Sequence, residues 1–433
     1  MRGGRIAATV AALGALGLAA CSSSGPARVP ALPSAPPASA AAPSGGPAVS
    51  KPGAGLTPAQ LARAYNLGPL RRRGIDGAHQ TIVIVDSFGS PTIARDLTAF
   101  DEAFGLAAPP SLSIIQPAGR VPAYQQTSTR NGWAGETTLD VEWAHAMAPG
   151  ASIVLAETPT AENEGRSGFP QIVQAEEYVI RRHLGQVISQ SFGATEETFA
   201  SAGALTSLRR AYQLAAQPAY KVTVLAASGD AGASGETYNM QSMYPRRVVE
   251  WPASDPLVTA VGGTAMSLTG SGQRLRPDIA WDDGGGGRSA VFTQPAYQDS
   301  VRQQTGGRRA IPDISMNASC ASSVAIYASY PGTGPGHWQT ICGTSMATPL
   351  FAGVVALADQ VAGHSLGLIN PALYKMAAAG DPGIVDVTRG SNTILADGRR
   401  VRGFRAGPGY DLASGLGTIN AADFVPELAR LAG

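Results

Sequence analysis

Five short apolar runs recur along the chain, at 81–85, 151–155, 186–190, 222–226 and 257–261. The first, Thr81-Ile82-Val83-Ile84-Val85, is β-branched almost throughout and does not alternate with polar residues. An unbroken run of that length predicts a strand covered on both faces. Between the runs lie stretches at 92–104, 136–147, 172–184 and 202–216 in which apolar residues return every three or four positions, the spacing of a helix with one buried face. Strand and helix in alternation predict an α/β fold, a mostly parallel sheet with helices on both faces and reactive groups at the carboxyl ends of the strands. Nothing between 56 and 433 interrupts the pattern, so this stretch reads as one domain without solenoid repeats.

The first 55 residues follow another rule. A short basic start at 1–5 leads into an Ala/Leu/Gly-rich apolar run at 6–20, which has the length of a signal-peptide core and is too short to span a membrane. The run ends Leu18-Ala19-Ala20-Cys21, which resembles the bacterial lipobox, where cleavage before the cysteine exposes it to lipidation. The alternative is an ordinary cleaved signal with an incidental cysteine. Residues 22–55 are rich in Pro, Ala, Ser and Gly and nearly free of large apolar side chains. Such a segment cannot bury enough surface to offset the entropy of ordering and reads as a tether, at about 3 Å per residue where extended. The expected organisation is a lipoprotein signal peptide at 1–20, a lipidated Cys21 with its tether to 55, and a domain at 56–433. This places the domain outside the cytoplasm, lipid-anchored at the cell membrane or released to the exterior.

Composition narrows the function. Gly 53 and Pro 32 in 433 residues argue against a helical bundle, and Lys+Arg 32 against Asp+Glu 31 leaves no charge excess to steer nucleic acid. A nucleic-acid partner is not expected. Beyond Cys21 the cysteines are Cys320 and Cys342, an even pair in an exported chain, for which a disulfide is the favoured reading and two buried thiols the other.

Three segments carry candidate chemistry. In Gly343-Thr344-Ser345-Met346-Ala347-Thr348-Pro349, small residues let the backbone turn and start a helix at the serine, exposing its hydroxyl and aiming its own N–H outward. Serine at a helix start is commonly only a cap, so a nucleophile needs a partner. Gly135-Glu136-Thr137-Thr138-Leu139-Asp140 is read as a helix start, with two carboxylates about 40° apart on one face. A solvated face explains them, and so does a half-buried pair that shares a proton. Ala227-Ser228-Gly229-Asp230-Ala231-Gly232 ends a buried strand, where Asp230 is either a turn acceptor or a site carboxyl. Of the histidines 79, 145, 183, 337 and 364, His145 is the nearest candidate base. It follows Glu136 by nine residues, so at about 100° per residue it points to the opposite side of the helix.

Taken in order, these segments resemble the sedolisin family of serine-carboxyl peptidases, relatives of the subtilisins. The resemblance runs from Leu56-Thr57-Pro58-Ala59-Gln60-Leu61 through Leu139-Asp140-Val141-Glu142-Trp143, Ser189-Gln190-Ser191-Phe192-Gly193, Pro252-Ala253-Ser254-Asp255-Pro256, Val261-Gly262-Gly263-Thr264, Gly284-Gly285-Gly286-Gly287 and Pro312-Asp313-Ile314-Ser315 to Gly343-Thr344-Ser345. It implies a subtilisin-like three-layer fold and amide hydrolysis through an acyl-enzyme, by an endopeptidase or a tripeptidyl-peptidase acting on peptides or proteins, expected to be monomeric. By matching position, Ser345 is the nucleophile, Glu136 the general base, Asp140 the carboxylate that orients it, and Asp230 the protonated donor to the oxyanion, a set that favours acid pH.

The resemblance also implies that Ser191, Phe192 and Gly193 lie along the substrate backbone, although packing accounts for Phe192 as well. One calcium ion is implied at Asp386, Val387, Gly407, Gly409 and Asp411, two carboxylates and main-chain carbonyls suited to a hard cation. Asp86, Asp313, Asp255 and Asp397 read as structural or second-layer, structural, turn and solvated acids respectively, and Trp143 as core or as cover for the Glu136 pair. The family carries a large folded prosegment. Only signal, lipobox and tether precede the mature-like start here, so self-activation by prosegment removal is not expected. A peptide-binding lipoprotein without turnover and a neutral protease using His145 and Asp86 are the competing readings.

Overall fold

The computed structural model describes residues 52–165, 167–331 and 337–433. The signal segment, Cys21 and the tether to 51 lie outside the described residues.

Strand β1, Thr81–Ser87, shows why its sequence lacks alternation. Ile82 and Ile84 turn into one apolar cluster with Leu139, Val141 and Val354. Val83 and Val85 turn into a second, with Phe169, Ile172 and Val173. Both faces of a pleated strand are therefore buried, and successive residues serve opposite layers. The other strands of the sheet are β2 (Leu112–Ile115), β3 (Ser152–Thr158), β4 (Val187–Gln190), β5 (Thr223–Ala227), β6 (Thr259–Ala265) and β7 (Ile314–Asn317). Their order is β7-β6-β5-β4-β1-β3-β2, all parallel, with Ile279–Ala280 added antiparallel on β6. The chain builds outward from β1 to β3 and β2 on one side and to β4 and beyond on the other, so the crevice above the carboxyl end of β1 is the switch point where α/β folds place ligands.

Helices α1 (Ile93–Phe104) and α2 (Ser128–Met147) cover one face. Helix α3 (Phe169–Arg181) and helix α4 (Arg210–Ala215) cover the other. Helix α5, Thr344–Ala362, packs against α2 and the sheet. It has the length and hydropathy of a membrane span, yet it is mostly buried within the domain as a core helix. Helix α6, Ala421–Ala432, packs on its outer side. The expected three-layer α/β architecture is the one observed.

Two helix boundaries differ from expectation. The helix expected at 136–147 starts at Ser128, where Thr127 caps it by accepting from Arg130 N at 3.3 Å. Its first two turns contain Gly132 and Gly135 and little apolar periodicity, and tertiary contacts such as Trp133 against Phe192 support them instead. Gly135 and Glu136 therefore sit in mid-helix. The helix expected over 202–216 is broken into Ala202–Thr206 and α4.

Candidate active site

Six side chains converge above the carboxyl ends of the central strands. Asp86 is the last residue but one of β1, Glu136 and Asp140 stand one turn apart on α2, Ser191 follows β4, Asp230 follows β5, and Ser345 lies in the first turn of α5. Gly343, the cap of α5, has φ +128°, and a Cβ there would lie 2.4 Å from Asp230 Oδ2. Only glycine both adopts this backbone and leaves room for the aspartate.

Asp86 and Asp140 are fully buried, and Glu136 keeps some exposure while its Oε1 is sealed from solvent. Ser191 Oγ donates to Asp140 Oδ1 at 2.9 Å and lies 3.2 Å from the Ser345 carbonyl. The Ser345 hydroxyl reaches Glu136 and favours its ionised form, as to a smaller degree does Ser191. Among the described residues no Arg, Lys or His forms an ion pair with these acids. Burial, then the charge of Asp86, pushes Glu136 up to about 8. Burial, then Asp86 and Glu136, holds Asp140 well above the carboxylate range. Burial raises Asp86 to about 7 against the pull of the Thr137 hydroxyl, with Glu157 adding repulsion. Neither Asp86 oxygen nor Asp140 Oδ2 has a hydrogen bond of sound geometry. Three carboxyls so placed cannot all ionise and must share protons.

Asp230 stands at the rim. The residue is exposed, yet its carboxyl is crowded by protein atoms, and this burial raises its pKa. Opposing it, Thr344 N and Thr344 Oγ1 both donate to Oδ1 at 2.7 Å. With Oδ1 anchored, Oδ2 is the atom left to carry a proton.

This frame matches known proteins. The model of the subtilase family covers residues 125–377, more than half of the chain. The chain belongs to the subtilase family. Within that group it is similar to kumamolisin of Bacillus sp. (strain MN-32), 33% identical over 376 residues, which are 84% of this chain and 61% of that protein. It is also similar to sedolisin of Pseudomonas sp. (strain 101), 31% identical over 366 residues, 80% of this chain and 57% of that protein. The chain thus spans about three fifths of the length of these relatives. The solved Pseudomonas sedolisin, described as a serine-carboxyl proteinase complexed with pseudo-iodotyrostatin, superposes with a TM-score of 0.72 at 27% identity, over 90% of this chain and all of that one.

His145, the nearest candidate base among the histidines, is elsewhere. His145 is buried on the opposite side of α2, with Nε2 3.1 Å from Asp101 Oδ1 and 3.0 Å from Ala107 O. Asp86, read from sequence as structural or second-layer, lies beside the Glu136–Asp140 pair and acts on both by charge. The signal was its place at the carboxyl end of β1. Thr344 was also missed, because an N–H and a hydroxyl converging on one carboxylate leave no mark in sequence.

Ser191 turns its hydroxyl into the cluster, Phe192 packs edge-on against Phe169 at 6.2 Å, and Gly193 lies against Glu250. Trp143 is core, donating to Ala325 O at 3.0 Å and packed against Phe100. Asp313 is buried and paired with Arg309 at 2.6 Å. Asp255 is more than a turn acid, since it is buried in an ion pair with Arg209 at 2.6 Å. Asp397 lies at an exposed position, where it accepts from Met243 N at 2.7 Å. Cys320 and Cys342 are bonded, Cα to Cα 4.9 Å, tying the approach to Ser345 to the loop after β7.

In the C-terminal region, Asp386 Oδ2 accepts from Gly409 N at 2.8 Å and Asp411 Oδ2 from Gly407 N at 2.9 Å. Asp411 Oδ1 accepts from Ala413 N and Ser414 N, each at 2.9 Å. Two carboxylates thus hold the same Gly407–Gly409 turn, with the buried Val387 beside them. Among the described residues no three His, Cys, Asp or Glu side chains cluster as metal ligands. A cation here relies on two carboxylates and main-chain carbonyls, a donor set that fits calcium.

Proposed function

We propose that the protein is a serine-carboxyl peptidase of sedolisin type that hydrolyses peptide bonds through an acyl-enzyme. Ser345 Oγ attacks the scissile carbonyl while Glu136 takes its proton. Asp140 shares and steadies the charge left on Glu136. The Asp230 carboxyl, protonated at Oδ2, and the Ser345 N–H donate to the oxyanion. Collapse expels the amine, which takes the proton from Glu136, and water then repeats the sequence to free the acid and regenerate Ser345.

The observation that carries this reading is the contact of Ser345 with Glu136 inside a buried carboxyl cluster, while His145 is paired with Asp101 across the helix. The proton inventory sets the pH dependence. Turnover needs one proton removed from the Glu136–Asp140 pair and one retained on Asp230, which gives a bell-shaped profile, and its acid weighting is taken from the resemblance of this carboxyl set to the serine-carboxyl peptidases.

One calcium ion, held by Asp386 and Asp411 with the carbonyls of Val387, Gly407 and Gly409, belongs to the same reading. The ion supplies fixed positive charge that steadies the C-terminal turns and takes no part in the reaction. The signal, lipobox and tether add an extracytoplasmic, lipid-anchored location and a monomeric domain acting on peptides or proteins. Hydrolysis of a mixed peptide library by the chain from about pH 3 to 8, with Ser345→Ala as control, tests the reading. Acid-weighted cleavage lost in the variant supports it, and no cleavage at any pH by folded protein overturns it.

A further inference from the structure

A two-stranded ribbon at 389–405 gathers arginines without acids to match them. Asp397 and Gly398, at φ +48° and +76°, form the two-residue turn that pairs Ile394–Ala396 with Arg399–Val401, and a bridge from Ser391 to Arg405 extends the ribbon. Ile394, Ala396 and Val401 turn inward on Ala233 and Met243, which seats the ribbon on the segment that follows Asp230. Leu395 and Arg400, opposite one another in the ladder, belong to the other face. Leu395 is 70% exposed, more than any other large apolar residue among those described. Arg389, Arg399, Arg400, Arg402 and Arg405 are all exposed, and between 387 and 410 they face Asp397 alone, which accepts from Met243 N at 2.7 Å. Among the described residues none of the five forms an ion pair, and the stretches 1–51, 166 and 332–336 contain no Asp or Glu that could supply one. At the foot of the ribbon Arg247 and Arg288 lie over the Phe404 ring at 4.4 and 5.6 Å, and Arg247 donates to Arg402 O at 2.7 Å. The cations there are crowded, since burial and then the charge of Arg247 lower the Arg288 pKa.

We propose that this face docks on a lipid bilayer that presents anionic headgroups, with the arginines on the phosphates and Leu395 at the boundary of the acyl chains. Five arginines less one aspartate give the ribbon a charge of +4, in a chain whose total is +1. Charge of one sign collected on one face of a nearly neutral chain suits a partner of the other sign, and a guanidinium meets a phosphate through two parallel hydrogen bonds. Arginines alone would fit any polyanion. A leucine raised among them gains only from a surface that has an apolar layer beneath its charges, which is what a bilayer offers. The lipobox and tether read at 18–55 bring such a surface within reach. The proposal stands apart from the peptidase reading, although docking here would hold the Asp230 side of the candidate site near the lipid.

The test is co-sedimentation of the full chain, carrying Cys21→Ser so that no lipid attaches, with vesicles of phosphatidylcholine alone or with about one third phosphatidylglycerol. Residues 1–20 are the same in every variant, so differences between variants read the ribbon. The expected result is binding that phosphatidylglycerol strengthens and that weakens as NaCl rises from about 0.1 M to about 0.5 M. Arg399→Gln, Arg400→Gln and Arg402→Gln together should lower the partition coefficient about 100-fold. Leu395→Gln should lower it about 5- to 10-fold. All these side chains are exposed, so circular dichroism and melting temperature should not change. No gain from phosphatidylglycerol, or a gain that the arginine substitutions leave intact, overturns the proposal. Polyphosphate is the second probe. Binding to it that the arginine substitutions abolish and Leu395→Gln does not, with no binding to vesicles, would assign the ribbon to a soluble polyanion and overturn the membrane.

Discussion

Two buried acidic centres lie within the same domain and are built on opposite principles. Asp313 is fully buried with Arg309 bonded to both of its oxygens at 2.6 Å, and Ala260 N at 2.8 Å and the Tyr374 hydroxyl at 2.9 Å complete the shell. Asp86, Glu136 and Asp140 have, among the described residues, no cation, few hydrogen bonds and one another's charge. A buried charge that is paired and hydrogen-bonded holds structure in place, whereas buried carboxyls left short of partners store protons. The contrast separates the acids that fold this protein from those that react.

The largest expected effect comes from breaking the second centre. Glu136→Gln and Ser345→Ala should each lower kcat/KM by about 10³-fold or more with little change in melting temperature, since each disturbs only the local contacts of Glu136 with Ser345 and Ser191. Breaking the first centre does the reverse. Asp313→Ala strands the Arg309 guanidinium and should cost about 3–5 kcal/mol in urea unfolding.

Asp386 and Asp411 form a third acidic pair, and if it holds calcium, chelation should lower stability by about 2.7 kcal/mol relative to an ion concentration of 100 Kd, read as a fall in melting temperature. The unpartnered acids also set the sign of the pH dependence of stability. Asp86 is raised to about 7, and Glu136 and Asp359 to about 8, so they remain protonated in the fold where the unfolded chain has already ionised. Their contribution is complete below the ordinary carboxylate pKa and is lost as pH rises through about 8, at about 1.4 kcal/mol per pH unit for each proton involved. Melting temperature should fall from pH 5 to 8, and a rise would contradict the account. The smallest effect is Asp86→Asn, which removes the charge that repels Glu136 and Asp140 and should shift the acid limb of the rate profile to lower pH.

Much of the frame was legible in the sequence because it is local. The run at 81–85 had to be a doubly covered strand, and the nine-residue step from Glu136 to His145 was enough to put the histidine on the far side of α2. What escaped depends on distant packing. The first turns of α2 carry two glycines and no apolar stripe, so only the observed contacts reveal them. Strand β2 is a short edge strand with little burial and left no distinct pattern.

The most direct test of the central claim is the pH profile of kcat/KM, measured on one cleavable peptide for the wild-type chain, Glu136→Gln and His145→Gln. The account predicts an acid-weighted bell that vanishes in Glu136→Gln and persists in His145→Gln. An optimum above neutral pH that survives Glu136→Gln and is lost in His145→Gln would contradict it.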